Sequence, residues 1–225
     1  MITTVFIDID NTLIDFDRCA CGSMGFVLEK HGISPTPHMF KVFLDTNRKL
    51  WLEIEKGNLT REGLYKIRWN TVFAQLGITL DGEKFEVEFL KHLPEFVFPI
   101  PYAKNLLDYL SKKYSIYATS NAPHNQQLMR LEKAGMLDKF SDIFTSGKIG
   151  FPKPDNRFFD GCFNSLENVS KDEVILIGDS LSADIAGAKN YGLKTCWFNF
   201  AGEALPVGIK PDFTVNSLEE ITKIL

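Results

Sequence analysis

Two carboxylates, Asp8 and Asp10, stand where the apolar run Val5-Phe6-Ile7 with Ile9 should end. Side chains two residues apart project to the same side of an extended backbone. Two such anions repel each other at neutral pH unless positive charge lies close, and a divalent cation meets that need. Further along come Ser120-Asn121, then Lys153 between Pro152 and Pro154, then Gly178-Asp179-Ser180 with Asp184 five residues beyond Asp179. Carboxylates, one ammonium, one hydroxyl and a glycine turn suit phosphoryl transfer through an aspartyl-phosphate. A carboxylate attacks phosphorus only where the repulsion between two anions is cancelled, which is work for a metal and a lysine. Mg2+ prefers oxygen ligands, which Asp8 and Asp179 would supply. Lys153 would neutralise the nucleophile and the transferring group. Ser120 and the backbone N–H groups after Asp8 would bind phosphoryl oxygens. Asp10 can protonate the leaving alkoxide and then deprotonate the attacking water.

These groups can act together only if the chain carries them to one place. The run ending at Asp8 reads as a strand buried on both faces, which belongs in the middle of a parallel sheet. The segment 15–98 then changes character, with helices expected over Asp17–Lys30, Pro37–Lys56, from Thr60 to Gly77, and over Gly82–Leu93. The second of these carries Phe40, Phe43, Leu44, Leu50, Trp51 and Ile54 on one stripe, and glycines such as Gly57 and Gly77 close the helices. No strand is expected there, so 15–98 reads as a helical insertion. From Pro99 onward strands and helices alternate: strands at Ile116–Thr119, Ile143–Thr145, Val174–Ile177 and Thr195–Phe198, with helices between them. Phe213–Val215 and Leu218–Leu225 close the chain. Alternation of this kind implies right-handed crossovers and a doubly wound α/β sheet. The predicted fold is a Rossmann-like core (1–14 and 99–225) with a five-stranded parallel sheet and an inserted all-helical cap domain (15–98). In open sheets of this type ligands bind beyond the carboxyl ends of the strands, where all four polar groupings fall.

The bulk composition narrows the function. Of 225 residues, 44% are hydrophobic and 24% charged, the balance of an ordinary globular protein rather than a disordered one. A net charge of -4 argues against a nucleic-acid polymer as partner and leaves room for a small phosphorylated metabolite. No apolar run reaches membrane-spanning length and no signal-peptide pattern opens the chain, so no membrane partner and a cytoplasmic location are expected. Cys19, Cys21, Cys162 and Cys196 are read as reduced, packed thiols, and the four histidines form no HExxH-type spacing.

Asp8-x-Asp10-x-Thr12, Ser120-Asn121, Lys153-Pro154 and Gly178-Asp179 with Asp184 resemble, in order, the four motifs of the haloacid dehalogenase (HAD) superfamily. The insertion after the first motif resembles the helical C1 cap of its subfamily I. The resemblance spans essentially the whole chain. It implies that Asp8 is the nucleophile and Asp10 the general acid/base, with catalysis shared by Ser120 and Lys153. It further implies phosphate binding by Ser120, Asn121 and Lys153. Mg2+ would be held by Asp8, the backbone carbonyl of Asp10, and Asp179, while Thr12 and Asp184 support the site. Asn47-Arg48-Lys49-Leu50-Trp51, Thr195-Cys196-Trp197 and Pro211-Asp212-Phe213-Thr214-Val215 are similar to the branch containing pyrimidine and noncanonical 5′-nucleotidases. The expected activity is therefore a Mg2+-dependent phosphomonoesterase acting on nucleoside 5′-monophosphates. A sugar-phosphate or phosphoglycolate phosphatase is the nearest alternative.

Other readings share parts of this pattern. A non-catalytic phospho-receiver also gathers acids, a hydroxyl and a lysine at strand ends, but it needs no lid over an intermediate. Haloacid dehalogenation would leave Asp10 without a use. Thr119 competes with Ser120 as the phosphate-binding hydroxyl, and Asp184 could be an ordinary first-turn helix acid. His124 reads as a helix start and Trp51 and Trp69 as bundle core. Asn47, Arg48 and Lys49 read equally as substrate contacts or as a solvated face.

Overall fold

The computed structural model describes Met1–Leu225, which divide into two compact units, Met1–Asp15 with Phe98–Leu225 and Phe16–Val97. In the first, β1 (Thr4–Asp8) is buried at every residue. It pairs in parallel with β2 (Ser115–Ser120) on one side and β4 (Val174–Gly178) on the other. Outside these lie β3 (Asp142–Thr145) and β5 (Lys194–Phe198), and the order is β3-β2-β1-β4-β5-β6. The chain builds outward from β1 through β2 to β3, then returns to β1's other side to add β4. The strand order therefore reverses between β1 and β4, and a crevice opens beyond their carboxyl ends.

The sheet has six strands, one more than expected. The sixth, β6 (Phe213–Val215), runs parallel to β5 with Cys196 opposite Phe213. It is three residues long and only Val215 is buried, so it lacks the apolar run that marks a central strand. Side-chain chemistry from outside the strand anchors it: the Asp212 carboxylate accepts from Thr195 N–H and Thr195 Oγ1, both at 2.9 Å.

One face of the sheet packs Phe6, Phe144, Val174 and Leu176 against Phe158, Phe159 and Cys162. The helices of this unit are α5 (Ala103–Leu110), α6 (His124–Lys133), α7 (Ser146–Ile149), α8 (Asn156–Phe163) and α9 (Gly187–Tyr191). A wider π-type segment, Leu181–Ala186, precedes α9. No helix of the protein is long and apolar enough to cross a membrane. The four cysteines form no disulfide, and three of them are buried.

The unit Phe16–Val97 contains α1 (Phe16–Lys30), α2 (Pro37–Glu55), α3 (Arg61–Leu76) and α4 (Gly82–His92). Side chains cap the starts of α2, α3 and α4. Thr60 Oγ1 accepts from Gly63 N–H at 3.0 Å, and Asp81 Oδ1 from Glu83 and Lys84 N–H, each at 3.1 Å. Gly77 ends α3 at φ 66°, a left-handed conformation that costs a side-chain-bearing residue more. The core stacks Trp69 on Phe43, ring centroids 4.9 Å apart, with Phe73, Phe85 and Phe89 around them.

The buried face of α2 differs from the predicted stripe. It consists of Phe43, Thr46, Asn47 and Ile54, whereas Arg48 and Lys49 are exposed. Asn47 is turned inward because α3 brings a buried guanidinium to it: Arg68 Nη1 donates to Asn47 Oδ1 at 2.8 Å. Arg68 also spans both oxygens of Glu86, at 3.0 and 2.5 Å, and Arg68 and Glu86 are each no more than 3% exposed. Removing one member of a buried pair strands the other, at about 3–5 kcal/mol. Glu86→Ala is therefore expected to lower stability by about that much. The double change Arg68→Met with Glu86→Leu should recover most of the loss. Chemical denaturation of the three proteins checks this, and an unaffected single variant would refute it.

Candidate active site

The register places Asp8 at the end of β1 beside Thr119, while Asp179 follows directly on the end of β4. Lys153 reaches this crevice from the loop between α7 and α8. Its Nζ donates to Asp8 Oδ1 at 2.8 Å, Asp184 Oδ1 at 2.6 Å and the Thr119 carbonyl at 3.1 Å. The three donors of an ammonium are thus all engaged, and Lys153 is 1% exposed. Burial works against its charge, yet Asp184 and Asp8 outweigh burial and hold its pKa above the ordinary lysine value.

Asn121 fixes that loop from β2's end. Its Nδ2 donates to the Lys153 carbonyl at 2.9 Å and its Oδ1 accepts from Lys153 N–H at 2.8 Å. Both ends of the amide are spent on the lysine's backbone, so the side chain holds the loop that carries Lys153. Asp184 reaches Lys153 because Gly178 has no side chain. A Cβ there would overlap the Asp184 carboxylate and lie 2.7 Å from its Cβ. Asp184 Oδ2 accepts from Ser180 N–H at 3.1 Å, so both of its oxygens are bonded. The first-turn acid of the sequence is therefore a buried partner of the lysine.

Asp179 is steadied through its neighbours. Trp197 Nε1 on β5 donates to its carbonyl at 2.9 Å, and Thr12 Oγ1 donates to its Oδ1 at 3.3 Å. Thr12 gets there by a tight turn after β1. Asn11 adopts φ 59°, its N–H bonds Ile14 O at 2.7 Å, and Leu13 and Ile14 N–H both bond Ile9 O at 2.9 Å. Asn is among the few residues that enter this region at low cost.

Carboxylate oxygens of Asp8, Asp179 and Asp184 all lie within 4.8 Å of one another. One ammonium cannot balance three carboxylates, and the imbalance is visible in the acidities of Asp8 and Asp179. Burial pushes the Asp8 carboxyl up, Lys153 pulls it down, and Asp184 and Asp10 push it up again, to about 8. Asp179 is raised well above the usual range by burial, then by Asp8 and Asp184, against Lys153. A cation of hard, oxygen-seeking character fits this donor set.

Asp10 stands apart from that cluster. Arg130 Nη1 bonds its Oδ1, and Gln127 Nε2 donates to its Oδ2 at 2.5 Å. Both partners lie on α6 and both are fully buried. Ser120, 1% exposed, accepts at Oγ from Gln127 Nε2 at 2.8 Å and Ala122 N–H at 3.1 Å. Thr119, one residue earlier on β2, enters the site through its carbonyl, which accepts from Lys153. His124 opens α6 and contacts Thr145 Oγ1 at 3.4 Å.

The structure thus gathers Asp8, Thr12, Lys153, Asp179 and Asp184 in one cluster, with Asp10 and Ser120 joined beside it by Gln127. Sequence reasoning missed Gln127 and Arg130, and it took Trp197 only as part of the Thr195-Cys196-Trp197 resemblance. The first two had a faint signal, a three-residue spacing on the helix that follows Ser120-Asn121, which puts them on one face.

Comparison with known proteins points to one family. Residues 2–192 match the model of the haloacid dehalogenase-like hydrolases. The chain is 31% identical over 222 residues to the HAD-hydrolase YfnB of Bacillus subtilis, covering 99% of this chain and 94% of that protein. The crystal structure of magnesium-bound YfnB superposes with a TM-score of 0.95 over 100% of this chain and 98% of that one, at 30% identity. Pyrimidine 5′-nucleotidase YjjG of Escherichia coli is 30% identical over 221 residues, covering 98% and 96% of the two chains. Pyrimidine 5′-nucleotidase PynA of Streptococcus pneumoniae is 27% identical over 219, covering 97% and 92%. With its motifs converging on one strand-end cluster, and relatives that include phosphatases, the chain belongs to the haloacid dehalogenase-like hydrolases.

Proposed function

We propose that this hydrolase is a Mg2+-dependent phosphomonoesterase that works through an aspartyl-phosphate on Asp8, with nucleoside 5′-monophosphates as its substrate class. The observation that carries this reading is the Lys153 ammonium bonded to Asp8 and Asp184 together at the crevice between β1 and β4. Asp8 attacks phosphorus as the ester P–O bond breaks, and Asp10 passes a proton to the leaving oxygen. Asp10 then takes a proton from water, whose oxygen attacks the same phosphorus and releases Asp8 and inorganic phosphate. Lys153 lowers the charge repulsion at both attacks, and Ser120 binds a phosphoryl oxygen. Asp8, Asp179 and the Asp10 carbonyl are the proposed Mg2+ ligands, and the bound ion would cancel further anionic charge. Asp184 and Asn121 keep Lys153 in place. Phe16–Val97 is proposed as the cap of this enzyme, and a small phosphorylated metabolite as its partner. The nucleotide preference rests on the activities named for YjjG and PynA.

The test is phosphate release from a panel of nucleoside 5′-monophosphates, sugar phosphates and phosphoglycolate, with Mg2+ and with a chelator in its place. Turnover is expected only with the metal, and nucleotides are expected to rank highest in kcat/KM. Nucleotides in the lower half of the ranking would remove the nucleotidase reading, and chelator-resistant turnover would remove the metal.

A further inference from the structure

We propose that Gln127 and Arg130 form a positioning pair that sets the acid/base Asp10 and the phosphate-binding Ser120 in register, an inference that rests on the phosphomonoesterase reading above. A guanidinium has only donors, so the Gln127 atom 3.1 Å from Arg130 Nη1 must be the carbonyl Oε1. The amide orientation, ordinarily ambiguous, is thereby settled. The NH2 end then faces Asp10 Oδ2 at 2.5 Å and Ser120 Oγ at 2.8 Å and donates to both.

The lone pairs of Ser120 and Asp10 fix what each can still do. A serine hydroxyl has one proton and two acceptor sites. Ser120 Oγ accepts from Gln127 and from Ala122 N–H, which fills both sites. Its proton is left to be donated in the one remaining direction, the role an anionic phosphoryl oxygen requires. Asp10, for its part, has Oδ1 on Arg130 and Oδ2 on Gln127, so the plane of its carboxylate is set from both ends. One amide therefore ties the group that moves the proton to the group that holds the phosphoryl, and Arg130 holds that amide. Burying a glutamine and an arginine completely costs free energy that packing alone does not return.

The experiment compares kcat/KM for p-nitrophenyl phosphate, whose leaving group needs little protonation, with that for the alkyl phosphomonoester the wild type turns over best. The proteins are the wild type, Gln127→Met and Arg130→Lys, with inhibition by inorganic phosphate measured alongside. Gln127→Met is expected to lose roughly tenfold more on the alkyl ester than on the aryl one, because general-acid catalysis contributes on the order of 10²–10⁴-fold where a proton is needed. Its inhibition constant for phosphate should rise as the Ser120 hydroxyl loses its fixed direction. Arg130→Lys keeps a donor and should show both effects in weaker form. Equal losses on the two esters with unchanged phosphate inhibition would overturn the proposal, since a packing role touches both alike. Should thermal unfolding show that Gln127→Met does not fold, the ratio between the two esters is read from Arg130→Lys instead. A larger loss on the alkyl ester then supports the pair, and equal losses overturn it. A wild type inactive on both esters would instead overturn the phosphomonoesterase reading, and this inference with it.

Discussion

Asp8→Asn is expected to abolish turnover, by roughly 10⁴-fold or more in kcat, while the protein stays folded and no less stable to heat in metal-free buffer. The two effects separate because the charge that makes Asp8 reactive is one the fold does not favour. Asp8 is 7% exposed and faces Asp184 and Asp179 across the crevice. Burial raises its pKa, Lys153 only partly reverses this, and the result near 8 marks a site where a neutral group sits more easily. Asparagine has the same shape, is neutral, and has no nucleophilic oxygen of comparable strength. Lys153 keeps its 2.6 Å bond to Asp184 and so is not left unpaired. Phosphate release from p-nitrophenyl phosphate and a thermal melt measure the two sides. Activity within about a hundredfold of wild type would rule out Asp8 as the nucleophile, given the losses typical of removing one.

Lys153→Met should be costly in both respects. The ammonium is the one positive charge bonded within the cluster of Asp8, Asp179 and Asp184, and all three of its hydrogen bonds go to buried acceptors. Methionine approaches its length and leaves the carboxylates facing one another without compensation. Breaking a buried pair from one side costs about 3–5 kcal/mol, and here two pairs share the cation. Activity should fall by on the order of 10²–10³-fold, the usual effect of removing one preorganised electrostatic group from a reacting centre. Lys153→Arg should not restore it, because a planar fork cannot direct single donors to three separate oxygens. Denaturation midpoints and kcat for the three proteins decide. A stable, active Lys153→Met protein would show that the lysine is peripheral.

The strand ends were legible because a strand buried on both faces must be apolar throughout, so the first charged residue after it marks where it leaves the core. That logic located Asp8 and Asp179, at the ends of the fully buried β1 and β4, from a single sequence. It failed for β6 as a member of the sheet, because its pairing is set by Asp212 reaching Thr195 rather than by its own three residues. It also failed for Asn47, which sits beside charged residues in the chain and is drawn inward only by Arg68.

Gln127 and Arg130 mark the boundary most clearly. On a helix whose neighbours are as polar as His124-Asn125-Gln126, their three-residue spacing is the one local feature that sets them apart. Their burial exists because Asp10, more than a hundred residues earlier, arrives opposite them once β1 and β2 pair. By itself the sequence determined which chemical groups stand at the strand ends, since periodicity and polarity are properties of neighbouring residues. Which of those groups touch was decided only by the tertiary structure. Strand order and register bring together residues far apart in the chain, and hydrogen-bond geometry then selects partners at a scale of tenths of an ångström.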